Sequence, residues 1–237
     1  DLSETLSDYA IVPAGRDWRD GDELMVCPNM RTAQIYLRED SGSTQRQAVV
    51  DRLLEEPRVD QVFWTERQPH GDEFHVATSD RGTLRFRPAA GASQADGSDL
   101  YGNSWVWDGH LSTLDACCSA GGTIEYGVYP NALERIAGGF SAVSGDILIT
   151  SRLGSEFCLP EINTHSGGSH GSLHELDSTA PLIAAGVPPQ VSVPAHPRIV
   201  DVVPLCLEVL RIPLGQAVNH VGPSRERSAR VARSQPG

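Results

Sequence analysis

The stretch THSGGSHGSLHELDSTAPLIAAG, residues 164–186, carries the densest chemistry in the chain. His165, His170 and His174 fall within ten positions, although the whole sequence holds only eight histidines. Four Gly or Ser residues separate the first two, which disfavours a helix there. Glu175 and Asp177 follow. The small apolar run at 180–185 is closed by Gly186 and reads as a buried strand. A histidine loop feeding a core strand is how an α/β enzyme presents a ligand at the edge of its sheet.

Outward from this stretch, residues 146–150 contain Ile147, Leu148 and Ile149, a continuous apolar run expected of a buried parallel strand. Residues 155–159 read as a further short strand. Pro130 opens a predicted helix to Ala137, with Gly138 and Gly139 ending it. Nearer the N-terminus, residues 23–27 and 32–37 read as strands around a turn at Pro28 and Asn29. A helix is predicted over 43–56, with Val49, Val50, Leu53 and Leu54 as its apolar stripe and Pro57 as its stop. A strand at 59–65 and a hairpin of 74–78 with 83–86, turning at 79–82, complete a ββαβββ order. That order predicts a small α+β subdomain over about 23–87.

Residues 88–122 are rich in Gly, Ala and Ser and read as a long loop, functional or mobile. Within it, Trp105 and Trp107 alternate, so a strand would put both on one side. They would cover the core or form a stacking wall for a nucleobase or sugar. Near the C-terminus, Asp201 is a candidate N-cap for a helix with Val203, Leu207 and Leu210 on one face. From Gly215 the pattern stops. Residues 215–237 read as a disordered tail, in which Arg225, Arg227, Arg230 and Arg233 form a solvated end or a basic interaction segment.

A chain of 237 residues can bury a real core, and 39% apolar with 21% charged residues is ordinary for a globular protein. A net charge of -12 argues against a nucleic acid polymer or an anionic membrane as partner. All 19 basic residues are arginine, which excludes a lysine nucleophile in this chain. The five cysteines include the vicinal pair Cys117-Cys118 and no C-x-x-C, against both a disulfide framework and a thiolate zinc site. Compartment is left open, with the cytoplasm slightly favoured; oligomeric state is left open too.

GSHG followed by a polar turn, an Asp and TAPLIAAG resembles the late metal-ligand motif of the type I phosphodiesterase and nucleotide pyrophosphatase family, in the alkaline phosphatase superfamily. NMRTAQIYL at 29–37, YPNALERI and SGDILITS within 129–151, and RIVDVVPLCLEVL at 198–210 fit the same family. Asn29 and Arg31 resemble the polar residues of its NGR-like turn, with Met30 where Gly is expected. The resemblance implies an α/β/α sandwich of the alkaline phosphatase type, incomplete at its N-terminus, spanning 1–214. It implies two zinc ions, a Thr or Ser nucleophile, and hydrolysis of a phosphodiester or nucleotide pyrophosphate bond in a small phosphate-ester substrate.

Of the metal ligands, the resemblance assigns only His170 to this chain. The remaining ligands and the nucleophile are expected upstream of residue 1, so no catalytic residue is assigned here. Gly168, Ser169 and Gly171 would let the backbone approach a metal, and Asp177 would orient the ring. His165 and His174 are expected to be solvated. A self-contained zinc site of His165, His170, His174 and Asp177 is a rival, disfavoured by the surrounding Gly and Ser. A serine hydrolase finds no G-x-S-x-G elbow. The alternative from another class is a catalytically inactive binding or structural relative of the same fold.

Overall fold

The computed structural model describes residues 1–13, 15–38, 42–69, 71–90, 94–160 and 167–212. Its contacts separate Asp1–Ser178 from a second unit that begins at Thr179. The first unit is a mixed α/β structure built on one large, mostly antiparallel sheet with few helices.

The sheet strands are β1 (Ile11–Pro13), β2 (Leu24–Asn29), β3 (Thr32–Leu37), β4 (Val59–Gln68), β5 (Gly71–Thr78), β6 (Gly82–Pro88), β7 (Gly97–Ser98), β8 (Ser104–Gly109) and β11 (Ile147–Ser151). Their spatial order is β1-β2-β3-β11-β4-β5-β6-β8-β7. Among the described ladders of this sheet, β1–β2 is parallel and the others are antiparallel; Ser98 of β7 also makes an isolated parallel bridge to Thr123. Two further strands, β9 (Ala116–Cys118) and β10 (Ile124–Tyr126), form a separate antiparallel pair.

Side-chain alternation along these strands builds two apolar faces. On one, Val26, Ile35, Ile147 and Trp64 lie in a single cross-strand row, with Ala33, Ile149, Val62 and Ala77 in the next. Helix α2 (Ser43–Leu54) packs Val49, Val50 and Leu53 onto this face, as does the short α1 (Leu2–Thr5) through Leu2. On the other, Leu148, Phe63, Val76 and Leu84 form a row. Helix α3 (Ala132–Gly139) comes close there: a Cβ at Gly139 would lie 3.9 Å from the Leu148 side chain.

The expected parallel strand at 146–150 is instead antiparallel to both neighbours. A continuous apolar run reports burial on two faces, and it carries no information about direction. The segment 23–87 is not a separate subdomain, because its strands pair directly with β11 in the common sheet. Nor is 88–122 a long loop: it holds β7, β8, β9 and a 3-10 turn at Leu111–Leu114, with Leu111, Leu114 and Trp105 buried. Small residues let strands approach there, as at Gly97, where a Cβ would meet Trp107 at 3.1 Å. Residues 155–159 form no strand, although Leu159 is buried.

The second unit differs most from expectation. Residues 180–185 form no strand and are exposed, Ile183 at 86%. Pro181 removes a ladder donor, and alanines have poor strand propensity. The first unit closes with the short α4 (Glu175–Ser178); helix α5 (Ile199–Val209) of the second unit has Arg198, not Asp201, at its N-cap. Asp201 sits at the third helical position and accepts from the Arg198 amide at 2.8 Å. No residue of α5 is buried. The expected tail at 215–237 lies outside the described residues.

His75 on β5 stacks on Trp64 of β4, with ring centroids 5.1 Å apart. Burial pulls its imidazole below the usual histidine range, against the opposing pull of Glu66 and Glu73. The unfolded chain therefore takes up a proton that the folded chain resists, so stability falls as pH drops below about 6.5. Urea midpoints measured from pH 8 to pH 5 should decline, and His75→Gln should flatten the decline. Superimposable profiles would remove His75 as the cause.

Candidate functional site

The sheet is apolar along most of its length and polar at one end. Arg31, Asp60, Gln61, Thr78, Thr150 and Ser151 are all buried there. Register brings them together: Thr150 pairs with Thr32 on one side and Gln61 on the other, Ser151 with Val59, and Thr78 with Gly82. The ends of β5 and β11 thus meet the starts of β3, β4 and β6. Buried polar groups need partners, and the loop of residues 167–178 supplies two of them to Arg31.

The loop is tied to the sheet through Arg31. The β2–β3 hairpin turns at Met30 and Arg31, and Met30 takes a left-handed φ of 56°. The position where the resembled turn carries Gly therefore has the conformation that Gly adopts without penalty. The Arg31 amide donates to the His170 carbonyl at 3.2 Å. Its guanidinium donates to the Asp177 carboxylate through Nη1 and to the Ser151 carbonyl through Nη2, at 2.9 Å. The second Asp177 oxygen accepts from the Ser172 amide at 3.0 Å. Both charged side chains are almost fully buried, 5% and 3% exposed. Gly171 passes beside this hairpin at φ +116°, a backbone conformation that glycine adopts without strain.

Arg135 of α3 holds the same loop from another element. Its Nη1 donates to the Leu173 carbonyl at 2.7 Å and to the Pro130 carbonyl at 3.1 Å, and Nη2 donates to the Ser172 carbonyl at 3.3 Å. Burial lowers its pKa from the usual arginine range, and Asp177 offsets part of that.

A second polar network lies beside the first. The Asp60 carboxylate accepts from the Tyr129 hydroxyl at 2.8 Å and from Arg81 at 2.8 Å. The Arg81 guanidinium stands over the Tyr129 ring, 5.4 Å from its centroid. Burial and the neighbouring Asp60 charge push the Tyr129 hydroxyl pKa up. The His174 ring meets Tyr129 edge-on at 5.9 Å.

These geometries sort the residues singled out from sequence. His170 is exposed, and no hydrogen bond among the described residues holds its imidazole. His174 is not solvated: it packs on Tyr129, and its Nδ1 accepts from the Leu176 amide at 3.2 Å. Asp177 does not orient the His170 ring; its two oxygens serve Arg31 and the Ser172 amide. Ser169 buries its hydroxyl without a partner among the described residues. His165 lies outside the described residues. Trp105 is core, 1% exposed, and donates from its indole to Asp99.

Asp60, Tyr129 and Arg135 were not anticipated. A charged residue inside the apolar run VDQVFW was the available signal for Asp60. Among the described residues, no three His, Cys, Asp or Glu side chains converge to hold a metal ion. His170 suits zinc as a single donor, and a complete site would need donors beyond these. Comparisons with models of protein families, with curated proteins and with solved structures found no match.

The Asp60 network makes an ordered prediction for chemical unfolding. Asp60→Ala leaves the Tyr129 hydroxyl and one Arg81 nitrogen without their shared acceptor and should cost up to about 3–5 kcal/mol, less what Arg81 retains through Asp80 and the Thr113 carbonyl. Tyr129→Phe removes one neutral donor and should cost about 1–3 kcal/mol. The reverse order would show that Asp60 is not the centre of the network.

Proposed function

We propose that this chain is the C-terminal portion of a metal-dependent hydrolase of phosphodiester or nucleotide pyrophosphate bonds, acting on a small phosphate ester. The observation that carries the reading is His170, an exposed imidazole on a backbone tied down at the polar end of the sheet. The GSHG motif resemblance supplies the chemistry.

In this reading His170 is one ligand in a two-zinc cluster. The other ligands and the Thr or Ser nucleophile come from sequence preceding residue 1. The zinc ions supply Lewis acidity and an activated water when bound. The residues of this chain place one donor nitrogen and hold its backbone against the sheet. Among the described residues no hydrogen bond holds the His170 imidazole, whereas His174 commits Nδ1 to the Leu176 amide and packs its ring on Tyr129.

In the full-length protein, His170→Ala should lower zinc content and reduce kcat by more than the roughly 10–100-fold typical of an outer-shell change. His174→Ala should keep its zinc and stay near wild type in kcat. The 237-residue chain by itself should show no zinc-stimulated hydrolysis of a generic phosphodiester. Hydrolysis by the isolated chain would overturn the assignment of the nucleophile elsewhere. A full-length protein with neither zinc nor hydrolysis would favour the non-catalytic relative.

A further inference from the structure

We propose that Arg31 and Asp177 are positioning residues for His170, fixing its backbone so that the imidazole is presented in one place. The inference rests on the reading of His170 as a metal ligand, and it adds two residues that act through it.

A closed ring of bonds holds the His170 backbone. From the Arg31 amide it runs to the His170 carbonyl, along the backbone to the Ser172 amide, across to Asp177, and back to the Arg31 guanidinium. The same guanidinium is anchored on the Ser151 carbonyl at the end of β11. Arg135 adds bonds to the carbonyls of Ser172 and Leu173. In a Gly-rich loop, backbone freedom would spread the His170 ring over many positions. Here the loop is held at residues 170, 172, 173 and 177 by two arginines from different elements, while the His170 side chain stays exposed. A ligand fixed through its support and free at its ring is what metal-site preorganisation requires.

The test uses the full-length protein, first stripped of metal, with Zn²⁺ alone as probe. Asp177→Asn keeps the side chain's size and removes its charge. Arg31→Lys keeps the charge but cannot reach Asp177 and the Ser151 carbonyl together. Near-UV circular dichroism reports whether each variant is folded. Backbone order parameters at His170 should stand near 0.85 in wild type and fall below about 0.6 in Asp177→Asn. Arg31→Lys should fall between, with the values along β11 unchanged in both.

Zn²⁺ should perturb the His170 imidazole resonances at lower concentration than those of the exposed His110 and His196. Asp177→Asn should shift that response about tenfold toward the His110 and His196 values. Folded variants with His170 as ordered as in wild type would overturn the proposal, as would a mobile His170 in wild type. If Zn²⁺ does not single out His170 in wild type, the metal reading fails. The order parameters still decide whether Arg31 and Asp177 position the residue.

Discussion

The sheet holds together only because Ile147–Ser151 inserts between β3 and β4. Among the described residues, the strands β1 to β3 and the strands β4 to β8 share no ladder except through β11. The insertion is strongly non-local: the Thr32 hydroxyl reaches the Ile149 carbonyl across 117 positions, and Thr150 reaches Gln61 across 89. Closing such distances costs entropy before any contact is gained. The return comes from burial on both faces, with Ile147 and Ile149 wholly buried on one and Leu148 facing the other. A polar residue in the middle of this strand would face apolar neighbours on either side, which is why its polar residues, Thr150 and Ser151, come at its end.

That end is where charge becomes affordable. An ion pair as buried as Arg31 and Asp177 loses much of its hydration, and attraction alone seldom compensates. The compensation here is hydrogen bonding: one guanidinium serves a carboxylate and a main-chain carbonyl, and the carboxylate in turn serves a main-chain amide. The pair's contribution lies in register as much as in stability. It sets where the 167–178 loop meets the sheet, and therefore where His170 emerges. Asp60 with Tyr129 and Arg81 repeats the logic beside it, with His174 resting on the tyrosine.

Much was legible in the residues themselves. The strand at Thr32–Leu37, the helix from Ser43 and the hairpin of β5 and β6 follow from period-2 and period-3.6 patterning with Pro and Gly punctuation. These are local signals, and neighbouring residues suffice to express them. The GSHG loop was likewise visible as a non-helical, histidine-bearing segment, because Gly and Ser disfavour regular structure whatever surrounds them.

What only the tertiary structure decided was pairing. The apolar run at 147–149 specified burial but left strand direction open, and the folded chain made it antiparallel. The run at 180–185 carried an apolar pattern, but a strand exists only if a neighbour offers a ladder, and none does among the described residues. The fates of the two described loop histidines were set the same way. His170 and His174 sit four apart in one loop and look equivalent in sequence. Tyr129, contributed by a distant segment, packs against the second, while the Arg31 amide and guanidinium hold the backbone beneath the first. Local patterning determines which segments can be strands, helices or loops; long-range contacts determine which partner each one meets, and that choice separates a packed histidine from a presented one.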